Sequence, residues 1–433
     1  MKTKVELGIA SEFERIADRL PGGGAVRELR RRALAVFATH GLPNRQVEEY
    51  KYTDLRAALR EALPAAVDDE ARLERSEVTR AIGAFGALDA TRVVLVNGRY
   101  RAELSDMVGG SGLQVVSLAQ TLAAAPEPVG AELLAPLGSA SESIAALNSA
   151  FATDGVVVRV SGELEKPLLI IHLETGPARH VTTRNAIVAK PGAKACVLEI
   201  FAALEPDVAG QVSAATDVTA GDGAALTHLK VVLNGATHLA TLQVRLGAGT
   251  IYRGFQYTER TELARTQSFI SLDGEDAKLD VSGAMLGRGT DHIDSTMLID
   301  HAAPGCEGRE LFKTVLDGKA RAVFQGKVIV RQIAQKTDGK QMAQALMLSE
   351  DAEFDSKPEL EIYADDVLCG HGSTSAEIDP QMLFYLRTRG IPLPEARAML
   401  IRSFVGEAIE KVEHEAIRDA LTETAGRWLD GNA

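Results

Sequence analysis

Pro191-Gly192-Ala193-Lys194-Ala195-Cys196-Val197-Leu198 sets a glycine turn against a short apolar strand, and the chain returns to that device four more times. It recurs as Gly221-Asp222-Gly223-Ala224-Ala225-Leu226 and as Asp273-Gly274-Glu275-Asp276-Ala277-Lys278-Leu279. It recurs again as Asp317-Gly318-Lys319-Ala320-Arg321-Ala322-Val323-Phe324 and as Ser349-Glu350-Asp351-Ala352-Glu353-Phe354. Alanines 195, 225, 277, 322 and 352 stand 30, 52, 45 and 30 residues apart. Read as one or two steps of a unit of about 22 to 30 residues, this recurrence is the sign of a solenoid. With two or three short strands per unit the solenoid is a β-helix, and Ala and β-branched residues suit its narrow interior.

Around the repeats, from Gly155 to about Cys369, the pattern is short strands separated by turn residues, such as Val156 to Val160, Leu168 to Leu173 and Leu239 to Leu246. The flanks change period. Glu12 to Leu20 and Ala25 to Thr39 carry apolar residues at helical spacing, separated by Gly22-Gly23-Gly24. Residues 64 to 75 read as an acidic linker, and Ala119 to Phe151 as an Ala-, Pro- and Ser-rich stretch with a helix at Ser143 to Phe151. After Ser375, Asp379-Pro380 signals a helix start, Asp as N-cap and Pro at the first helical position. Pro394 opens a longer helix with Met399, Leu400 and Phe404 on its apolar stripe, and a last helix follows from Glu415 to Leu429.

The expected architecture is mainly β: a β-helix core flanked by N-terminal and C-terminal α-helical regions. Its divisions are 1–65 helical, 66–152 a lead-in with short strands and a helix, 153–376 the β-helix, and 377–433 helical. Composition narrows the function. The net charge of −13 argues against a nucleic-acid groove, which needs clustered Lys and Arg. The basic run Arg27, Arg30, Arg31 and Arg32 reads as a solvated helix face. No apolar run approaches the roughly 18 residues of a membrane span, and the N-terminus does not read as a secretory signal. Three widely separated cysteines, Cys196, Cys306 and Cys369, suit a reduced cytoplasmic setting better than a disulfide scaffold.

Enzyme templates are missing: no Gly-x-Ser-x-Gly, P-loop or His-Glu-x-x-His occurs. A polysaccharide-active β-helix would need paired carboxylates or a basic residue in a cleft, and no acidic pair stands out. The densest run of possible metal ligands is Asp291-His292-Ile293-Asp294, continuing to Asp300-His301 and Cys306. On a strand, His292 and Asp294 share one face while Ile293, Met297 and Ile299 share the other. That pair could hold a metal; the commoner role of such a pair is a hydrogen bond that orders a turn between coils. Cys196 and Cys306 read as small buried residues. Cys369-Gly370-His371-Gly372 places a thiol and an imidazole on one side of an extended segment, and both suit iron, zinc or iron–sulfur clusters. Two ligands are too few for such a site, so the remainder would come from a second chain. The alternative is a buried Cys beside a satisfied His.

Several of these segments together carry a resemblance. Arg309-Glu310-Leu311-Phe312-Lys313, Val315-Leu316-Asp317-Gly318-Lys319-Ala320-Arg321, Phe324-Gln325-Gly326, Gln335-Lys336-Thr337-Asp338-Gly339, Ser356-Lys357-Pro358-Glu359-Leu360-Glu361-Ile362, Cys369-Gly370-His371-Gly372-Ser373-Thr374 and Leu383-Phe384-Tyr385-Leu386-Arg387-Thr388-Arg389-Gly390-Ile391 resemble the core of the SufB/SufD family. Glu48-Glu49-Tyr50-Lys51-Tyr52-Thr53 is similar to the family's Glu-x-Trp-Lys-Tyr-Thr, with Tyr50 in place of Trp; Ser373 stands where Ala is common. Isolated cysteines, rather than a cysteine cluster, favour the SufD branch.

The resemblance implies a right-handed parallel β-helix between the two helical regions, and a non-catalytic scaffold for iron–sulfur cluster assembly. It implies pairing with SufB, and docking of the SufC ATPase on the C-terminal helices near Met399, Leu400 and Phe404. It maps His371, with Cys369 beside it, onto the SufB-facing interface, where transient iron or a cluster is held; none is expected on the isolated chain. A homodimer using the same edge is the alternative within the family. A carbohydrate-active β-helix enzyme is the alternative outside it.

Overall fold

The computed structural model describes residues 2–68, 71–107, 112–124, 140–205, 210–233, 235 and 237–431. The middle of the expected Ala-, Pro- and Ser-rich stretch, 125–139, lies outside the described residues. From Val156 onward the strands alternate between two sheets, one of ten strands and one of nine. Each strand pairs in parallel with the strand after next, so the core is a flattened parallel β-solenoid.

Lys194, Ala225, Ile251, Lys278, Glu307, Asp338 and Leu368 occupy one rung position in successive coils. One coil therefore takes 26 to 31 residues. Just before that rung lies a column of small buried residues: Ala193, Ala224, Thr250, Ala277, Cys306 and Thr337. Each carbonyl in the column accepts the N–H opening the next coil's strand, at 2.8 to 3.0 Å. The turn must bring two backbones this close on an inside corner, which only a small side chain permits. Cys306 is one member of that column.

The structure also corrects the repeat as read in the sequence. Ala195, Ala225 and Ala277 belong to corners of the ten-stranded sheet, whereas Ala322 and Ala352 belong to the nine-stranded one. The step of 45 between Ala277 and Ala322 thus crosses from one sheet to the other and is not two coils. Ala320, whose carbonyl accepts from Glu353 N–H at 3.0 Å, is the true counterpart of Ala352.

The three largest apolar clusters among the described residues form layers that hold the molecule together. The solenoid interior stacks residues such as Ile187, Val218, Val244, Ile270, Ile299 and Val328. The outer face of the ten-stranded sheet, with Ile200, Val231, Tyr257, Leu286 and Val315, is covered by Ile401, Val405, Ile409 and Trp428 from the helices Leu393–Ile409 and Glu415–Leu429. An N-terminal layer packs Phe13, Phe37, Tyr50 and Phe151 with Leu239 and Leu263 of the nine-stranded sheet. Together these buried surfaces supply the main drive for folding.

The first helix spans Lys4–Ile16, starting earlier than its apolar pattern suggests. Thr3 and Glu6 form a reciprocal capping box that fixes the start. The stretch read as a linker begins as part of the sheet: Ala65 bridges His180, and His180 N–H donates to the Pro64 carbonyl at 2.9 Å. Arg30 departs from the solvated reading of its run. It is buried and donates to the Ala150 carbonyl at 3.0 Å and the Pro21 carbonyl at 3.1 Å. It thereby satisfies a carbonyl at the end of helix Ser143–Phe151, the role cations favour there.

The two ends of the solenoid differ. At one end Arg99–Tyr100 and Leu113–Ser117 pair antiparallel and close the sheets. At the other, Glu353–Ile362 and Leu368–Ala376 are the last strands of their sheets. Nothing among the described residues pairs with their outer edges.

Candidate functional site at the open end

Cys369 and His371 lie on the terminal strand Leu368–Ala376. In register, Gly339 pairs with Cys369 and Gln341 with His371. Cys369 packs against the solenoid interior, and alternation puts His371 on the same inward face. Both are reachable from the uncovered end: Cys369 is half-buried and His371 exposed. Burial pushes the Cys369 thiol above its ordinary range. Gly370 and Gly372 take the outward positions. Beside them runs a cleft of about 580 Å³ lined by Arg309, Lys340, Met342, Leu368, His371 and Lys411. Exposed apolar side chains cluster at this end, with Leu368 at 69% and Tyr363 at 61% of full exposure, joined by Ile333 and Ile362.

The two inward positions behind His371 are polar: Glu310, Gln341 and His371 occupy successive rungs, with Val281 of the apolar core before them. Gln341 Nε2 donates to Glu310 Oε2 at 2.6 Å. Burial pushes the Glu310 carboxyl up to about 7, and the single bond from Gln341 offsets this only in part. Opposite, Gly326 makes room: a Cβ there would lie 1.9 Å from Gln341 Nε2. Glu310 and Gln341 escaped notice in the sequence as site residues. The available signal was parity, since each lies two positions before a buried apolar residue, Phe312 or Ala343, and so shares its face.

His292 and Asp294 sit elsewhere, on the outer face of the nine-stranded sheet, while Ile293, Met297 and Ile299 point into the core. Thr53 Oγ1 is 3.0 Å from His292 Nε2 and also donates to Asp294. Asp294 further receives Arg265 and, at 2.8 Å, Thr296 Oγ1. Desolvation pushes the His292 imidazole below its ordinary range. The pair anchors the 48–53 segment. Arg265 donates to the Glu49 carbonyl at 2.7 Å and Gln325 to the same carbonyl at 2.9 Å.

Of the three C-terminal docking candidates, Met399 is exposed, Leu400 is half-buried, and Phe404 turns toward the sheet with Lys313 Nζ 4.4 Å from its ring centroid. The helix Pro380–Thr388 buries none of its residues and exposes Met382, Phe384 and Tyr385. Among the described residues no group of three or more His, Cys, Asp or Glu is placed to hold a metal ion, and no helix is long and apolar enough to cross a membrane. Cys369 and His371 therefore offer two donors.

Two family models match. Residues 172–404 match the SufBD core domain of the SUF system for FeS cluster assembly, and residues 22–170 match the SufBD protein N-terminal region. The chain is 31% identical over 399 residues to the iron–sulfur cluster assembly protein SufD of Escherichia coli, covering 91% of this chain and 90% of that protein. It is 28% identical over 397 residues to a SufBD family protein of Synechocystis, covering 88% and 86%. To SufD of Bacillus subtilis it is 26% identical over 298 residues, 66% of each chain. With its core domain, N-terminal region and near-full-length likeness to an assembly protein, the chain belongs to the SufBD family of iron–sulfur cluster assembly proteins, as a SufD homologue.

Proposed function

We propose that this chain is a non-catalytic scaffold subunit that pairs with SufB across the open end of its solenoid. There it supplies His371, with Cys369 beside it, to iron or a nascent cluster as cargo. The carrying observation is the placement of two donors, a thiol and an imidazole, on the inward face of a terminal strand whose outer edge is unpaired among the described residues. A site of three or four ligands then needs the second chain. The exposed apolar residues Ile333, Ile362, Tyr363 and Leu368 suit an interface core. The SufC ATPase docks on the C-terminal helical region, where Phe384, Tyr385 and Met399 are uncovered. ATP hydrolysis belongs to SufC, and the assembly works in the cytoplasm. Family membership favours this reading over a carbohydrate-active enzyme.

The test is the reconstituted assembly carrying His371→Ala. Iron or cluster content is expected to fall while the chains still co-purify. Unchanged loading would remove His371 from the site.

A further inference from the structure

Gln341 has one amide atom accounted for and one left over. Its Nε2 is committed to Glu310, while its Oε1 is buried without a hydrogen-bond partner. The side chain is 3% exposed, and Gly326 leaves the space it occupies on the opposite sheet. A buried acceptor with no donor costs free energy and calls for one. The next rung of the same inward row is His371, about 4.8 Å away along the sheet. The inward direction it shares with Gln341 puts its ring on the side of that acceptor. Among the described residues no hydrogen bond already claims the ring.

We infer that Gln341, held by Glu310, is a positioning residue for His371. Its Oε1 accepts one imidazole N–H and so presents the other ring nitrogen, unprotonated, toward the open end. This follows the general rule that the hydrogen bond at one ring nitrogen decides which tautomer forms and which nitrogen ligates. Gly326 belongs to the same device, because any side chain there would displace the amide. The inference rests on the reading of His371 as a ligand, but it concerns the ring's orientation before any metal arrives.

The full chain labelled with ¹⁵N-histidine tests it without metal. Long-range ¹H–¹⁵N correlation reads the tautomers of the nine histidines, and His371→Ala assigns the relevant pair of signals. Gln341→Met keeps volume but removes the acceptor, and is expected to change the His371 tautomer ratio by about threefold or more, the worth of one hydrogen bond. Gln341→Glu keeps an acceptor and should restore the wild-type ratio. Glu310→Gln keeps the partner of Gln341 Nε2 and should leave it unchanged. An unaltered ratio in Gln341→Met overturns the inference. If that variant does not fold, a wild-type ratio equal to that of free imidazole overturns it instead. Iron content of the His371→Ala assembly is a separate measurement. Normal loading there, with a tautomer shift in Gln341→Met, discards the ligand role and keeps the positioning.

Discussion

The Arg265 guanidinium lies over the ring of Tyr50, 3.9 Å from its centroid, joining residues 215 positions apart in the chain. Tyr50 is fully buried, and its hydroxyl donates to Gln267 Oε1 at 3.0 Å. With Thr53 on His292 and Asp294, this stacked contact fastens the N-terminal region to the nine-stranded sheet.

Tyr50→Ala should therefore cost about 3 kcal/mol, in the range for deleting a buried aromatic. Tyr50→Trp should cost less than about 1.5 kcal/mol, because a large flat ring still fills the site under Arg265. Urea denaturation measures both. Limited proteolysis should release the N-terminal helices first in Tyr50→Ala.

Gly326→Ala drives a methyl into the Gln341 amide and should destabilise by about 1 to 3 kcal/mol, as overpacking does. The same change in a Gln341→Ala background should cost clearly less. A double-mutant cycle by denaturation gives the coupling; additive costs would mean the amide is not what Gly326 accommodates.

Glu310 predicts a pH dependence. Its carboxyl sits at about 7 in the fold against an ordinary 4.5, so the fold favours the protonated form. A raised acid leaves stability intact below pH 4.5, withdraws it as pH climbs from 4.5 to 7, and leaves a constant deficit above. The deficit is about 3 kcal/mol, at 1.36 kcal/mol per tenfold of proton affinity. Glu310→Gln should thus be more stable than wild type at pH 8 by up to that amount and nearly equal near pH 4. Paired denaturation curves at the two pH values check it.

The C-terminal helices predict a separation of effects. Phe384→Asp and Met399→Asp should weaken co-purification with the ATPase at little cost in stability, since both side chains are exposed. Phe404→Ala should instead lower thermal stability, because its ring packs on the sheet beneath Lys313. Binding that survives the two Asp changes would place the ATPase on another face.

The sequence made the solenoid legible because its corners demand small residues, and small residues after turns are visible as a recurrence. It could not assign each recurrence to a sheet: Ala277 and Ala322 look alike in a line and stand on different walls. Cys369 and His371 were legible as a pair because alternation along one strand is local. Tyr50, Thr53, His292 and Asp294 were legible as residues but not as partners, since over 200 positions separate the two pairs. Arg30 misled because a charge in a basic helix run carries no mark of the carbonyls it meets. Glu310 and Gln341 were hidden for a related reason: polar residues on a strand read as outward, and only the parity of their neighbours says otherwise.

The open end has a consequence for any copy of the chain on which it stays uncovered. The penultimate strand carries Glu353, Asp355, Lys357, Glu359 and Glu361 along its outward face, charges that discourage another strand from adding to that edge. The last strand, Leu368–Ala376, carries no acidic, Lys or Arg residue and leaves a row of unpaired backbone groups. Stacked end on end, such solenoids would continue one another's sheets. Copies whose last strand stays uncovered are therefore the ones exposed to self-association.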